Sequence, residues 1–169
     1  MSQDIYAIIA SKYPGVELES AVQGWVYLEE FEKGIEAYNR IIPTHATPQD
    51  DRWLGVCYFQ LFDDMKAVEI FYRTIARGDT RAYINLAHTF LFIERSNQVL
   101  TELSKVSFDK LDIYNQAYYL RVKSIYEENN GDLQNALQHA EMAWRLVQRL
   151  SELPILAPSI LSQIGVVYG

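Results

Sequence analysis

A short stretch near the middle of the chain constrains the fold more than any other feature. Leu54, Gly55 and Tyr58 form a Leu-Gly-x-x-Tyr pattern, and Ala67 and Phe71 follow it with a spacing of four. Residues four apart lie on one face of an α-helix, and a small residue beside them lets a second helix come close. The pattern therefore predicts a helical hairpin. Such a hairpin cannot bury its apolar face alone, so similar units should stack on it.

Related spacings occur on both sides of this stretch. Each combines a small residue with large apolar or aromatic residues at helical intervals, as a row of similar hairpins requires. They stand at Trp25, Gly34 and Tyr38; at Leu86, Ala87 and Phe90; at Ala136, Ala140 and Ala143; and at Ile164, Gly165 and Tyr168.

Residues that start and stop helices separate these units. Thr47 followed by Pro48 is typical of an N-cap and a first helical turn. Gly78 and Gly131 are typical of helix ends, and Pro154 should stop a long helix that begins near residue 133.

With these residues the sequence resembles the tetratricopeptide-repeat family over about residues 17–168. The resemblance implies an all-α fold, a right-handed superhelix of stacked antiparallel helical hairpins. It would form one domain over residues 1–169, with repeats at about 17–43, 48–77, 80–106 and 111–153 and a terminal or incomplete repeat helix at 158–168. An unrelated helical bundle with apolar residues at the same spacing is the alternative. The last helix is apolar, which favours burial by a partner or a longer array over a capping role.

Composition excludes several classes of protein. The net charge is −7 and no run of Lys or Arg occurs, so we expect neither nucleic acid nor an anionic membrane as partner. Cys57 is the only cysteine; it excludes an internal disulfide, and we expect it to pack in the core. The N-terminal segment does not resemble a signal peptide, and no stretch is apolar enough for a membrane span. These features predict a cytoplasmic protein.

Signatures of catalysis and of metal binding are missing from the sequence. The histidines are far apart, and the glycines form no phosphate-binding loop. Paired acids are expected in turns between helices, as solvated charges and N-caps; they are Glu29 with Glu30, Asp63 with Asp64, and Glu127 with Glu128. We therefore expect no enzymatic activity, no metal and no cofactor.

The family resemblance also implies a binding groove lined by the first helix of each hairpin. The groove-facing positions would be Arg52, Val56, Phe59 and Gln60 in the central unit and Arg81, Ile84, His88, Leu91 and Phe92 in the next. In the following unit they would be Leu120, Ser124 and Glu127. Such a groove would be apolar in the middle and flanked by arginines. Alternatively, Leu91 and Phe92 pack against a neighbouring hairpin.

In this family a well-understood ligand mode holds the terminal carboxylate of a peptide with basic and amide side chains. The corresponding positions here carry Glu19, Gln23 and Trp53, so that clamp is missing. An amphipathic helix or an extended apolar segment of a partner protein fits better.

Several functions remain open from the sequence. The leading hypothesis is a module that binds a peptide or helix of a partner protein in the groove. The alternatives are a sensor or regulatory domain of a larger signalling or transcription-regulating protein, and a small chaperone of the secretion type. A further possibility is a homo-oligomer formed through the apolar segment 160–168.

Overall fold

The computed structural model describes residues 4–149. In this range the chain is all-helical and contains no strand, which confirms the all-α class for these residues. The α-helices in chain order are α1 Ile5–Lys12, α2 Ala21–Tyr27, α3 Phe31–Asn39, α4 Pro48–Gln60, α5 Asp64–Ala76, α6 Ala82–Phe90, α7 Val99–Ser104, α8 Ile113–Asn129 and α9 Leu133–Arg149. Short 3-10 turns lie at Ser96–Gln98 and Phe108–Lys110. Pro154 and the predicted helix at 158–168 fall outside the described residues.

Consecutive helices pack in pairs. From α2 onward, each helix contacts the next: α2 with α3, α4 with α5, α6 with α7 and α8 with α9. The first members of these pairs also contact one another, α2 with α4, α4 with α6 and α6 with α8. The first helices thus form one continuous face of the molecule, and α1 packs on α2 at its start.

The central pair is built as the Leu-Gly-x-x-Tyr pattern predicts. Ala67 and Phe71 are buried in the core, and a Cβ atom added to Gly55 would lie 2.5 Å from Cε1 of Phe71. A methyl group at position 55 would therefore push the ring of Phe71 away, which confirms the close helix approach. The fully buried Cys57 makes a similar contact, with its Sγ 2.7 Å from the position of a Cβ on Gly34. Its predicted packing role is confirmed.

The predicted start of α4 is confirmed by its hydrogen bonds. The hydroxyl of Thr47 accepts a hydrogen bond from the backbone N–H of Asp50 at 3.1 Å. In return the Asp50 carboxylate accepts one from the backbone N–H of Thr47 at 2.8 Å, which completes a capping box. Caps of this kind contribute about 1 kcal/mol each to helix stability.

Left-handed residues mark the turns between helices. Gly78 and Gly131 have φ angles of 100° and 80°, which confirms that they follow helix ends. Glu29 and Phe62 occupy comparable turns with φ angles of 59° and 62°, although both carry a Cβ atom. A side chain in this region is strained, so these turns are less favourable than the glycine turns.

One predicted pair of turn charges, Glu127 with Glu128, was placed wrongly, since both lie inside α8. Asp63 is the N-cap of α5, as expected, but Glu127 lies inside α8 because that helix continues to Asn129. Its carboxylate lies 2.6 Å from Nδ1 of His139, so Glu127 joins α8 to α9. Within residues 4–149, no helix has the length and apolarity needed to cross a bilayer. The same residues hold no cluster of three or more side chains suited to a metal ion.

Candidate functional site

The continuous face of first helices contains a cavity of about 360 Å³. We call it the aromatic cavity. Side chains from α2, α4, α5, α6 and α8 line it, together with Phe62 in the turn before α5. Most of the predicted groove residues lie here: Arg52, Val56, Phe59, Gln60, His88 and Phe92.

The other predicted groove residues lie elsewhere. Ile84 is fully buried in the core and offers no surface to a ligand. Leu91 is partly buried and packs against the same core. Arg81 lines a second, neighbouring cavity. The predicted groove residues of α4 therefore line the aromatic cavity, whereas those of α6 divide between this cavity, the core and the second cavity.

Aromatic rings form one wall of the aromatic cavity. The ring centroid of Phe59 lies 4.9 Å from that of His88 and 5.5 Å from that of Phe92. The His88 centroid is also 5.5 Å from the ring of Tyr118 on α8. Although Phe92 touches this wall, 63% of its surface is exposed. Phe92 thus packs against Phe59 of the neighbouring hairpin, as one of the two expectations has it, and contact with a ligand stays a prediction.

A buried polar chain runs beneath this wall. Nδ1 of His88 lies 2.7 Å from the hydroxyl of Tyr118, and the Asn85 amide nitrogen donates to the same hydroxyl at 3.5 Å. Burial, with a smaller contribution from the charge of Arg121, lowers the pKa of His88 to about 3. The imidazole is therefore neutral near pH 7. The neutral ring and the Tyr118 hydroxyl share this hydrogen bond, and the tautomer of His88 sets which of them donates.

Two residues that line this cavity carry buried polar atoms without a hydrogen-bond partner among the described residues. Oδ1 of Asn85 and Nε of Arg121 are buried, and neither has a hydrogen-bond partner within residues 4–149. Burial also lowers the pKa of Arg121 from its usual value, although Tyr118 and Tyr114 act in the opposite direction. Buried polar groups are nearly always paired in proteins, so these atoms mark a place where a partner is missing.

The second cavity, of about 550 Å³, has a different electrostatic character. Its wall includes a group that we call the ion cluster, formed by Glu19, Arg52, Asp79 and Arg81. Nε of Arg52 donates to Asp79 at 3.1 Å, and the same guanidinium pairs with Glu19. Arg81 bonds Glu19 at 3.0 Å and Asp79 at 2.8 Å. Every member therefore has opposite charges beside it, and the arginines are already occupied.

Sequence reasoning missed the contribution of α8 to the aromatic cavity. Tyr114, Tyr118 and Arg121 line it, with the i, i+4, i+7 spacing of a single helix face. The predicted groove positions on this helix were Leu120, Ser124 and Glu127, and that prediction was wrong. Leu120 packs in the core cluster shared with α9, and the Ser124 hydroxyl donates to the carbonyl of Ala136. The face of α8 assigned to the groove is the face that carries α9.

A scan against protein-family models gave no match to this chain. Searches of curated protein sequences and of solved structures gave no match either. The residues of the chain itself therefore carry the functional argument.

Proposed function

We propose that this protein is a non-enzymatic interaction module with a tetratricopeptide-like α-solenoid fold, and that it binds a peptide or helix of a partner protein. The aromatic cavity is the proposed binding site. One observation carries the proposal: large aromatic side chains stay exposed around an open cavity on the face formed by the first helices.

The helix contacts support the solenoid part of the proposal. In a row of stacked hairpins, each first helix touches the first helices before and after it, and each second helix touches the next first helix. Both kinds of contact occur here, for example α4 with α6 and α5 with α6. A solenoid built in this way exposes an extended face suited to protein segments.

The chemistry of the cavity supports a protein ligand. Aromatic anchors beside a few polar groups are typical of the centres of protein interfaces, where a small number of residues supplies most of the binding energy. Phe62 is 90% exposed and Phe92 63%, and both border the aromatic cavity. A partner that covers these rings would remove a large apolar area from water.

Selection of displayed random peptides on the immobilised full chain tests this proposal. Enriched peptides are synthesised and their affinities measured by fluorescence anisotropy for the wild type and for Phe92→Ala. We expect the substitution to weaken binding about tenfold or more, as for a central aromatic anchor. Tyr6→Ala provides the control, because Tyr6 on α1 is also an exposed aromatic residue but does not line the cavity.

Two results would contradict the proposal. Either the selection enriches no peptide, or Phe92→Ala and Tyr6→Ala bind the enriched peptides equally well. Thermal unfolding of both variants shows whether a change in affinity reflects the site or the fold.

A further inference from the structure

We infer that the aromatic cavity recognises a peptide segment with an acidic side chain next to an apolar one. The ligand carboxylate binds Arg121, a neighbouring backbone N–H donates to Asn85, and the apolar side chain lies between Phe62 and Phe92. This inference rests on the proposed function and specifies its ligand.

The unpartnered atoms define the polar part of the ligand. Asn85 is only 5% exposed, yet its Oδ1 accepts no hydrogen bond within the described range. Nε of Arg121 is a buried donor that also lacks a partner there. Both residues line the aromatic cavity, so a ligand that satisfies both must bring an acceptor and a donor. A peptide with an acidic side chain offers both, because its carboxylate accepts and its backbone N–H donates.

Charge favours a carboxylate as the acceptor. Burial lowers the pKa of Arg121, as expected for a cation without a nearby anion. Among the described residues that line the aromatic cavity, Asp64 is the only acidic one, and it leaves Nε of Arg121 unpaired. Arg52, which also borders the cavity, is already bound by Glu19 and Asp79. Arg121 is therefore the cation available to a ligand carboxylate, which would accept a charge-assisted hydrogen bond from it.

The turn at Phe62 supports the apolar part of the ligand. Phe62 has a φ of 62° and 90% of its surface is exposed, whereas the comparable turn before α9 uses Gly131. The aromatic side chain is unfavourable here in two ways, through its backbone conformation and through its contact with water. Phe62 borders the same cavity as Phe92, so a ligand side chain between the rings would use the exposed apolar surface of both.

Matched dipeptide probes test the inference on the full chain. N-acetyl-aspartyl-phenylalanine amide carries a side-chain carboxylate, and N-acetyl-asparaginyl-phenylalanine amide is its neutral counterpart. Their dissociation constants come from chemical-shift titrations. We expect the acidic probe to bind the wild type about tenfold more tightly, as for a hydrogen bond to a charged partner. N-acetylphenylalanine, with only a terminal carboxylate, should bind more weakly than the acidic dipeptide.

Substitutions then locate the preference. Arg121→Gln should remove the advantage of the acidic probe, whereas Arg121→Lys should keep part of it because the charge remains. Arg40→Gln makes the same change of charge on an exposed arginine far from the cavity lining and should keep the full advantage. Phe62→Gly should weaken both dipeptides several-fold without unfolding the protein. It therefore tests the apolar half of the site even if Arg121→Gln fails to fold.

Several outcomes would overturn the inference. The first two are equal binding of the acidic and neutral dipeptides to the wild type and no binding of either. The third is a preference for the acidic dipeptide that survives in folded Arg121→Gln. The fourth is tighter binding of N-acetylphenylalanine than of the acidic dipeptide. If display-selected peptides still depend on Phe92 in any of these cases, the proposed function stands and only the ligand assignment fails. If they do not, the proposed function fails as well.

Discussion

Arg52 and Arg121 stand in similar places but in opposite surroundings. Both belong to first helices, α4 and α8, and both border the aromatic cavity. Arg52 is bound by the carboxylates of Glu19 and Asp79, and only 3% of its side chain is exposed. Nε of Arg121 is also buried, yet it has no partner within residues 4–149.

The difference separates a charge that stabilises the fold, on Arg52, from a charge that is available to a ligand, on Arg121. The ion cluster joins residues that are distant in sequence, because Glu19 precedes α2, Arg52 lies in α4 and Asp79 precedes α6. It therefore holds neighbouring hairpins together. Nε of Arg121 has no hydrogen-bond partner in the described part of the chain, so its guanidinium can serve a ligand instead. The two arginines should consequently respond in opposite ways to substitution.

The largest expected effect follows from removing the paired arginine. Arg52→Gln removes one of the two arginines that hold the carboxylates of Glu19 and Asp79 and leaves Arg81 as their remaining cation. Breaking a buried pair costs about 3–5 kcal/mol when the partner is left unpaired, so with Arg81 in place the loss should be about 2–3 kcal/mol. Arg121→Gln removes a buried charge that has no ion pair to lose, so its free energy of unfolding should stay within about 1 kcal/mol of wild type. Urea denaturation at pH 7 measures both values. Equal destabilisation by the two substitutions would contradict the distinction between them.

The aromatic cavity and the ion cluster should also lose stability in different pH ranges. Burial, helped by the charge of Arg121, lowers the pKa of His88 to about 3. A base with a lowered pKa stabilises the fold fully above its ordinary pKa of about 6.5, and this contribution falls as the pH drops from there toward 3. The loss is about 1.4 kcal/mol per pH unit, or roughly 2 kcal/mol at pH 5.

Urea denaturation of wild type and His88→Gln at pH 7.5 and pH 5 measures this contribution. The variant should lose less stability than wild type between the two values, because glutamine does not titrate. His45→Gln is the control, since His45 is exposed and should leave the wild-type pH dependence unchanged. If His88→Gln and His45→Gln lose the same stability on acidification, His88 does not carry the effect.

Asp79 should act at lower pH. Burial raises its pKa, but the hydrogen bond from Arg81 and the charges of Arg52 and Arg81 outweigh burial and lower it below the ordinary value of 3.8. A carboxylate with a lowered pKa stabilises the fold above its ordinary pKa, and that contribution disappears as the pH falls through the lowered value. Asp79 should therefore keep its stabilising charge at pH 5, where the contribution of His88 has already declined.

The sequence predicted the central helices better than the site because different physics decides each. The four-residue spacings from Leu54 to Tyr58 and from Ala67 to Phe71 lie within one hairpin, so their packing is visible in a single stretch of sequence. The site depends on helices that are far apart in sequence, and on which face of α8 meets α9. A small change of register moved the prediction from Arg121 to Leu120. The pairing of Arg52 with Glu19 and Asp79 was likewise invisible before the hairpins were placed side by side.

The smallest expected effect is the change in the free energy of unfolding when the turn residues Phe62 and Gly131 are substituted. At Phe62 the same substitution also tests ligand binding. Phe62→Gly removes the strain of a Cβ atom at φ 62° and loses little packing, because the ring is 90% exposed. The free energy of unfolding should rise by about 1 kcal/mol. Gly131→Ala is the reverse experiment: nothing lies within 4 Å of the added Cβ, so only the backbone opposes it, and stability should fall by about 1 kcal/mol.

Urea denaturation of both variants tests the sign as well as the size. A stability gain in Phe62→Gly, together with weaker binding of the dipeptide probes, would mean that the chain keeps a destabilising residue at the edge of the aromatic cavity because the ligand uses it. A loss of stability in Phe62→Gly would instead give Phe62 a structural role. In that case the polar pair of Asn85 and Arg121 would have to define the site without an aromatic contact at this turn.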